Sequence, residues 1–419
     1  MSPTALLHLT TDLAREVLKF QQPADAVVSA FFRQHRGLGP RERHALAETI
    51  YGVLRRRLLY QHLAQSGAGT LERRLVVLGW QGDEPALQGA LSPTESAWLD
   101  KARSIDISSL PQHLRHNLPP WLAVALQASA GEDFWPLVQA LNVPASLDLR
   151  VNALKIKREA AIAELAASGI AALPTPYSPL GLRIEGKPTV NKLEIFKRGD
   201  VEVQDEGSQL LAFLVDPKRG EMVVDFCAGA GGKTLALGVA MRNTGRLYAF
   251  DVSGHRLAAL KPRLARSGLV NVHPVQIAHE RDERIKRLAG KIDRVLVDAP
   301  CSGLGTLRRN PDLKWRQSPA NVQALQSTQQ AILASAARLL KPGGRLVYAT
   351  CSLLESENQA VAAQFLAAHQ GEFQALPVRE ALMAAHVKDS QDLVNGETLQ
   401  LWPHRHETDG FFAAAWQRT

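Results

Sequence analysis

The three cysteines of the chain each follow a run of residues that is typical of a buried strand. Cys227 lies in MVVDFCAGAGGKT (222–234), Cys301 in RVLVDAPCSGLGT (294–306) and Cys351 in VYATCSLLESEN (347–358). The sequence contains no C-x-x-C pair, and an odd number of cysteines argues against a disulfide framework. Packing and catalysis are therefore the two roles to be separated, and only a thiolate is a nucleophile.

Cys301, Cys351 and Asp298 together suit methyl transfer onto carbon 5 of cytosine. That carbon is too poor a nucleophile to attack a sulfonium methyl group, but a thiolate that adds to carbon 6 turns the ring into an enamine. After methyl transfer a base removes the carbon 5 proton, and the thiol leaves by β-elimination. Asp298 stands three residues before Cys301, so we expect it to bind the cytosine edge and to favour protonation at N3.

The glycine-rich turn after the first of these strands predicts a cofactor site. A phosphate loop, G-x-x-x-x-G-K-[ST], would need glycine where Cys227 stands, and Gly229, Gly231 and Gly232 give only half of a dinucleotide fingerprint. S-Adenosyl-L-methionine needs an open turn and an acidic residue at the next strand end for its ribose hydroxyls. Asp251, which ends GRLYAFD, is placed for that role.

The elements that must position these residues divide the chain into three regions. Residues 1–140 have the apolar spacing of helices, and residues 141–200 combine short strands with one helix-like run, REAAIAELAASG (158–169). From 201 to 419, short apolar strands alternate with helices, which predicts an α/β, Rossmann-like domain with a mostly parallel sheet. Ligands bind at the carboxyl ends of strands in such sheets, and all three cysteines fall there.

Composition and charge favour a soluble protein with a polyanionic partner. The 419 residues are 45% hydrophobic and 21% charged, with a formal net charge of +8. We expect a cytoplasmic location, because the N-terminus lacks the features of a signal peptide and no apolar run approaches the length of a membrane span. We also expect a monomer with no membrane association and no bound metal.

Arg55, Arg56 and Arg57 interrupt an amphipathic run, ETIYGVLRRRLLYQHL (48–63), which we predict to be helical. Three successive residues occupy different angular positions on a helix, so these arginines cannot form one narrow stripe. They form either a solvated basic collar or a direct contact with RNA.

Four motifs together resemble the RNA cytosine-C5 methyltransferases of the NOL/NOP/Sun type, and in particular their bacterial RsmB-like branch, which modifies 16S rRNA. The motifs are DFCAGAGGKT, AFD, DAPCSGLGTLRRNPDLKW and YATCSLLESEN. The resemblance extends upstream through RVNALK (150–155) and FKRGDVEVQDEGSQL (196–210), so it covers roughly residues 145–419. It implies a class I S-adenosylmethionine-dependent fold, a small RRM-like module over 141–200 and a reduced NusB-like RNA-binding domain over 1–140.

The resemblance also implies roles for individual residues. The Thr-Cys cysteine, Cys351, would be the nucleophile, and the Pro-Cys cysteine, Cys301, would assist release of the methylated base. Asp251 would bind the ribose, and Asp298 is the aspartate of the Pro-Cys motif. The implied cofactor contacts are Cys227, Ala228, Gly229, Ala230, Gly231, Gly232, Lys233, Asp251, His279 and Asp298.

Two positions depart from the family pattern. Ala230 replaces the usual proline of the cofactor loop, and His279 stands where the family commonly has an aspartate for the adenine amino group. Either His279 serves as the acceptor, or Asp282 reaches in from a shifted loop, or the contact is absent.

A basic and aromatic segment follows Cys301 and predicts an RNA path by phosphate contact and stacking. Its residues are Arg308, Arg309, Lys314, Trp315 and Arg316; the alternative is a solvated loop. Cys227 is expected to pack rather than react. HRHETDG (404–410) is expected to be a polar loop before a strand, not a metal site.

Two further functions stay open beside methylation of 16S rRNA. A noncatalytic RNA-binding or ribosome-assembly factor could keep the same fold, because a fold alone does not establish activity. Methylation of tRNA would use the same chemistry on another RNA. Methylation of DNA is disfavoured by the Thr-Cys motif.

Overall fold

The computed structural model describes residues 1–186 and 188–419, which form two compact units. The first unit combines Met1–Pro144 with Thr306–Pro319, and the second combines Ala145–Gly305 with Ala320–Thr419. In the described part of the chain, no helix is both long enough and apolar enough to cross a membrane.

The secondary-structure elements are numbered along the chain. The α-helices are α1 (Pro3–Val17), α2 (Ala24–Gln34), α3 (Pro40–Arg55), α4 (Arg57–Leu63), α5 (Leu71–Leu78), α6 (Glu84–Ala90), α7 (Pro93–Arg103), α8 (Gln112–His116), α9 (Pro120–Ala130), α10 (Phe134–Leu141), α11 (Arg158–Ala167), α12 (Glu194–Lys197), α13 (Glu206–Val215), α14 (Gly232–Ala240), α15 (Gly254–Ser267), α16 (Glu283–Lys286), α17 (Leu313–Arg316), α18 (Pro319–Ala337), α19 (Gln359–Ala368), α20 (Val378–Ala384) and α21 (Pro403–His406). The strands are β1 (Leu147–Val151), β2 (Ala172–Pro174), β3 (Gly181–Ile184), β4 (Val201–Val203), β5 (Met222–Asp225), β6 (Arg246–Asp251), β7 (Val272–Gln276), β8 (Ile292–Asp298), β9 (Leu340–Thr350), β10 (Phe373–Leu376), β11 (Val394–Asn395), β12 (Thr398–Leu401) and β13 (Phe411–Arg418).

The first unit is helical, as the apolar spacing predicts, and its helices start at residues suited to helix ends. The Ser92 hydroxyl accepts from the backbone N–H of Glu95, whose carboxylate accepts from the N–H of Ser92, which together form the capping box of α7. The amphipathic faces of α1, α3 and α5 bury one apolar core, represented by Leu7, Leu46 and Val76. Burial of these faces supplies most of the stability of such short helices.

Residues 306–319 leave the sheet domain and pack within the helical unit. Trp315 joins the apolar core of this unit, and its Nε1 donates to the Leu54 carbonyl over 2.8 Å. Lys314 is only 3% exposed, and its Nζ donates to the Arg55 carbonyl over 2.8 Å. The segment is therefore an integral part of the helical unit, which the predicted boundary at residue 140 did not include.

The arginine run at 55–57 corrects two expectations. The predicted helix over 48–63 is broken at Arg56, between α3 and α4. Arg55 is buried and donates to the Arg308 carbonyl over 3.0 Å, while Arg57 lies over the rings of Phe20 and Trp315. These two side chains therefore serve packing, neither as a solvated collar nor as an exposed RNA contact.

The second unit begins with a four-stranded antiparallel sheet in the order β2-β3-β1-β4. Helix α11 packs on it through Ala161 and Leu165, which are fully buried with Leu149 and Leu182 of the sheet. The helix predicted over 158–169 is confirmed as α11, and the short strands predicted in this region are confirmed as β1 to β3.

The larger sheet of this unit has the order β11-β12-β13-β9-β8-β5-β6-β7, with β10 paired to β13. Strands β5 to β9 are parallel, whereas β13 runs antiparallel to β9. Apolar clusters cover both faces of the sheet, which explains why its central strands read as continuous Val- and Leu-rich runs. The predicted α/β fold with a mostly parallel sheet is confirmed.

Lys314 should make the stability of the protein depend on pH. Burial, with a further contribution from Arg55, lowers the pKa of Lys314 from 10.5 to about 7. Between those values the unfolded chain carries a proton on this lysine that the folded chain lacks, so the free energy of unfolding should rise with pH across this window. Lys314→Met removes the titrating amine, so its free energy of unfolding should rise less than that of the wild type between pH 6.5 and 9.5. Urea denaturation across this range measures the difference.

The matched control is Lys101→Met, which replaces an exposed lysine of the same unit and should keep the wild-type pH dependence. Parallel curves for Lys314→Met and wild type would show that the buried amine does not titrate in this range.

Candidate active site

The carboxyl ends of β5, β6, β8 and β9 border one cavity of about 610 Å³. Most of the residues singled out from the sequence line it, namely Cys227, Ala228, Gly229, Ala230, Gly232, Lys233, Asp251, His279, Asp298, Cys301 and Cys351. Gly231 is in the same turn but does not line the cavity. Strand ends separated by up to 124 positions in the sequence, from Cys227 to Cys351, thus meet at one site, as a parallel sheet requires.

The glycine-rich turn has a backbone that favours glycine. Gly229 and Gly231 have φ of +56° and +84°, in the left-handed region. A Cβ on Gly231 would also lie 2.1 Å from the Leu260 side chain of α15. Arg263 donates to the Ala230 carbonyl over 2.5 Å, which restrains the turn at the position where the family has proline.

Asp251 is fixed at the mouth of the turn by two backbone donors. Its Oδ2 accepts from the Gly229 N–H and its Oδ1 from the Ser253 N–H, each over 2.7 Å. The side chain is 5% exposed and borders the cavity. Each carboxylate oxygen can accept a second hydrogen bond, so Asp251 can still bind a vicinal diol such as that of ribose.

Asp225 and Cys227 lie beneath the turn. The Thr234 hydroxyl donates to Asp225 Oδ2 over 2.6 Å, and burial raises the pKa of Asp225 to about 7. Burial also raises the pKa of the Cys227 thiol well above its usual value, with Asp225 adding to the shift. A thiol held in its neutral form is a poor nucleophile, which supports packing as the role of Cys227.

The two other cysteines face each other across adjacent strand ends. Strands β8 and β9 are parallel with Asp298 opposite Ala349, and the Cys301 and Cys351 sulfurs lie 3.4 Å apart. The Gly305 N–H donates to the Cys351 carbonyl over 2.8 Å, which fixes the loop that carries Cys351. Both sulfurs border the cavity that the glycine turn borders.

Lys233 is the cation closest to this chemistry. Its Nζ donates to Asp298 Oδ2 over 2.8 Å and lies 5.6 Å from the centre of the Phe411 ring. Burial opposes the charge, but Asp298 and, to a smaller extent, Cys351 attract it, so the pKa of Lys233 is raised. Lys233 therefore stays charged and stabilises negative charge on Asp298 and on Cys351.

His279 lines the cavity, and one of its ring nitrogens is bonded to the backbone. Its Nδ1 accepts from the Arg281 N–H over 3.1 Å, so the proton of the neutral ring is on Nε2. Asp282 accepts from the N–H groups of Ala278 and Arg284, each over 2.9 Å, and does not line the cavity. Of the two acceptors predicted from the sequence, His279 therefore lines the cavity and Asp282 does not.

Glu280 is the carboxylate on this wall of the cavity, and the sequence analysis missed it. Its Oε1 pairs with the Arg281 Nε over 3.1 Å, and its side chain is 21% exposed. Gln204, Ser208 and Arg256 also line the cavity and were missed. Gln204 and Ser208 could have been found, because they lie in FKRGDVEVQDEGSQL, which is part of the resemblance to the methyltransferase family. Arg256 and Glu280 lie in no such motif.

The structure places the predicted RNA-path residues with the helical unit. Lys314 is buried, and Trp315 is half-buried with its indole N–H bonded. The Lys314 amine and the Trp315 indole N–H are therefore not available to bind RNA. The Arg308 guanidinium donates to the Pro144 carbonyl, and Arg316 pairs with an aspartate of its own segment. Arg309 is half-buried.

The HRHETDG stretch is partly helical, with α21 ending at His406. This histidine is buried, and its Nδ1 accepts from the Trp402 N–H over 2.8 Å. Its Nε2 lies 3.0 Å from the Asp392 carbonyl, so both ring nitrogens bind backbone groups.

Comparison with known proteins agrees with the sequence motifs. A probable ribosomal RNA small subunit methyltransferase B from Synechocystis is 31% identical over 406 residues, which cover 96% of this chain and 89% of that protein. The chain belongs to the RsmB/F methyltransferase family. The family model described as 16S rRNA methyltransferase RsmB/F matches residues 212–417, and the ferredoxin-like domain of RsmF/B-like proteins matches residues 118–191.

Other RsmB/F relatives and solved structures show the same likeness. The ribosomal RNA small subunit methyltransferase B of Sodalis glossinidius is 38% identical over 62% of this chain and 59% of that protein. The crystal structure of PH0851 has a TM-score of 0.81 with 27% identity and covers 99% of each chain. A methyltransferase homologue from Pyrococcus horikoshii has a TM-score of 0.63 with 29% identity, covering 75% of this chain and all of that one.

Gly305 should be intolerant of any side chain. A Cβ at this position would lie 2.1 Å from the Gly410 carbonyl oxygen and 2.8 Å from that of Cys351. Gly305→Ala should therefore lower the free energy of unfolding by about 1–3 kcal/mol and displace the Cys351 loop. Thermal unfolding and a methylation assay would measure the two effects.

Gly89→Ala is the control, because a Cβ at Gly89 in α6 meets no atom within 4 Å. It should leave both activity and stability close to wild type. Equal behaviour of the two variants would show that the Cys351 loop does not depend on this close backbone approach.

Proposed function

We propose that the protein is an S-adenosylmethionine-dependent RNA (cytosine-5-)-methyltransferase that acts on 16S rRNA through a covalent cysteine adduct. The observation that carries the proposal is the 3.4 Å approach of Cys301 and Cys351 in the cavity that the glycine turn and Asp251 also border. Membership of the RsmB/F family supports methyl transfer, and the names of its relatives support ribosomal RNA as the substrate.

The residues of the cavity fit S-adenosylmethionine. The cofactor would supply a sulfonium methyl group, an electrophile that carries no phosphate. The glycine turn opens α14, so backbone approaches the ligand closely, while Asp251 accepts hydrogen bonds from ribose hydroxyls. Arg150 donates to the Gly232 carbonyl over 2.9 Å, so the RVNALK motif holds the turn from below.

Cys351 is the proposed nucleophile, because it is the cysteine of the Thr-Cys motif and interacts with the Lys233 ammonium. The Cys351 sulfur would form a bond to carbon 6 of cytosine, and the ring electrons would move to carbon 5, which then takes the methyl group. Asp298 would bind the cytosine edge and favour a proton on N3, with Lys233 holding its carboxylate in place. Loss of the carbon 5 proton and cleavage of the bond to Cys351 would release 5-methylcytosine.

Cys301 is proposed to assist that release. The hydrogen bond with Cys351, burial and the nearby charge of Glu357 raise the pKa of the Cys301 thiol well above its usual value. Cys301 therefore stays protonated while Cys351 reacts. Its position 3.4 Å from the attacking sulfur brings it close to the ring carbons that change during breakdown of the adduct.

The intact cysteine pair disfavours a noncatalytic RNA-binding factor, which would need neither sulfur. A tRNA substrate would use the same residues and is distinguished by assaying both RNAs. Bisulfite sequencing of total RNA from a deletion strain would identify the modified cytosine, and loss of a 5-methylcytosine from tRNA instead of 16S rRNA would reassign the substrate.

Substitution of each cysteine should separate the two steps. Cys351→Ala should abolish methylation and keep RNA binding, because without the adduct carbon 5 is not nucleophilic enough. Cys301→Ala should form the adduct and release it slowly, so that a protein band shifted by covalent RNA accumulates on a denaturing gel.

The double variant is the control and should show no shifted band, since a block in release holds only what Cys351 has formed. The reverse pattern, with RNA trapped by Cys351→Ala and none by Cys301→Ala, would assign the nucleophile to the Pro-Cys position.

The adenine amino group is proposed to bind Glu280. S-Adenosylhomocysteine and its inosine analogue, which has a 6-oxo group in place of the amino group, test this by calorimetry. Glu280→Ala should weaken binding of the adenosine compound by about tenfold, the lower end of a hydrogen bond to a charged group, and leave the inosine compound unaffected. Glu283→Ala, at an exposed carboxylate of α16, is the matched control. An equal loss for both compounds would exclude this contact.

A further inference from the structure

Each of the two cysteines is followed by a serine, and both serines bind one buried carboxylate. Glu357 lies in a 3-10 turn after β9 and has no exposed surface. Its Oε1 accepts from the Ser302 N–H over 2.8 Å, and its Oε2 accepts from the Ser302 and Ser352 hydroxyls. Gln329 of α18 donates to Oε1 over 3.1 Å. One side chain thus connects the loop after β8 with the loop after β9.

The partners of Glu357 suit a carboxylate that accepts hydrogen bonds. A backbone N–H and a side-chain amide can only donate here, and an ionised carboxylate can only accept. Hydrogen bonds to a charged acceptor are stronger than neutral ones, and they offset the cost of burying the charge. The network is therefore a charged centre directly behind the two cysteines.

The same network limits how far the sulfurs can separate. The Ser302 and Ser352 hydroxyl oxygens lie 3.2 Å apart, and the two sulfurs of the preceding residues lie 3.4 Å apart. The turn that carries Glu357 is itself fixed, since the Tyr348 hydroxyl donates to the Glu357 carbonyl over 2.5 Å. A shift of either loop would break at least one hydrogen bond to Glu357.

The charges around the two sulfurs differ. Cys301 faces the Cys351 sulfur, the Glu357 carboxylate, the Tyr348 hydroxyl and the backbone N–H of Gly303. The hydrogen bond with Cys351 does most to raise the pKa of the Cys301 thiol; burial, the nearby Cys351 sulfur and then the Glu357 carboxylate add to it.

The charged neighbour of Cys351 is a cation. The Lys233 ammonium interacts with Cys351, and Lys233 is held by its hydrogen bond to Asp298. The Glu357 carboxylate favours the protonated form of Cys301, whereas the charged group that interacts with Cys351 is a cation.

We propose that Glu357 is a positioning residue that holds Cys301 and Cys351 at their observed separation and keeps Cys301 as the protonated member of the pair. The inference rests on the proposed function, because two unlike sulfurs are useful only if one attacks and the other assists release. Glu357 is not a catalytic group. It acts through its hydrogen bonds to Ser302 and Ser352 and through its negative charge.

Glu357→Gln tests the role of the charge, since it keeps the size of the side chain and removes the anion. Alkylation of each cysteine by iodoacetamide, followed by peptide mass spectrometry between pH 6 and 9, reports the thiolate at each sulfur. In the wild type Cys351 should react faster than Cys301 at pH 7. In Glu357→Gln the ratio of the two rates should fall by roughly tenfold, and Cys301 should react at lower pH.

Glu355→Gln is the matched control, because Glu355 is an exposed glutamate of the same 3-10 turn. It should keep the wild-type ratio and the wild-type kcat. A wild-type ratio in folded Glu357→Gln would overturn the proposal, because a merely structural role would not change which sulfur ionises.

Two serine variants test the positioning role, even if Glu357→Gln does not fold. Ser302→Ala with Ser352→Ala removes both hydroxyl donors and keeps the carboxylate. This double variant should lower kcat at least about tenfold with little change in KM for RNA and with S-adenosylhomocysteine binding intact. An unchanged kcat would overturn the positioning role. If the wild type methylates no cytosine, the proposed function fails, whereas the alkylation ratio still decides the role of Glu357.

Discussion

The parallel pairing of β8 with β9 is the constraint on which the site depends. Parallel neighbours end at the same edge of a sheet about 4.8 Å apart, so the residues that follow them must meet. Cys301 and Cys351 follow these two strands, and their sulfurs approach to 3.4 Å. Close backbone packing at Gly305 and the carboxylate of Glu357 then hold the two loops in that arrangement.

The charged groups at this site interact strongly because they are buried. Asp225, Asp251 and Asp298 lie at adjacent strand ends, and Lys233 lies among them with its ammonium bound to Asp298. Charges interact more strongly away from water, so Asp298 and Asp251 add to the raised pKa of Asp225, and Asp298 helps to raise the pKa of Lys233. The segment after β5 carries Lys233, and the segment after β9 carries Glu357. These two segments, and not the cysteines themselves, therefore place a cation near Cys351 and a carboxylate near Cys301.

Most of the sheet and the proximity of Cys301 to Cys351 could be predicted from the sequence. Continuous apolar runs indicate buried parallel strands, and the carboxyl ends of such strands lie at the same edge of the sheet. The basic and aromatic segment after Cys301 could not be assigned, since alternating Lys, Arg and Trp suit an RNA surface and also suit side chains whose polar ends bind backbone carbonyls. Lys314 and Trp315 do the latter. The donor state of His279 depends on one contact with the Arg281 N–H, and the role of Glu357 depends on contacts with residues up to 55 positions away. Neither has a sequence pattern.

The proposed mechanism requires that the sulfur of Cys351 attack carbon 6 of a cytosine. A fragment of 16S rRNA in which the target cytosine is replaced by 5-fluorocytosine tests it directly. Fluorine at carbon 5 leaves no proton for the base to remove, so the adduct should persist in the presence of S-adenosylmethionine. Mass spectrometry of the digested protein should find the nucleotide on the peptide that contains Cys351. A nucleotide on the peptide of Cys301, or methylation of the natural RNA without any adduct on the fluorinated one, would contradict the account.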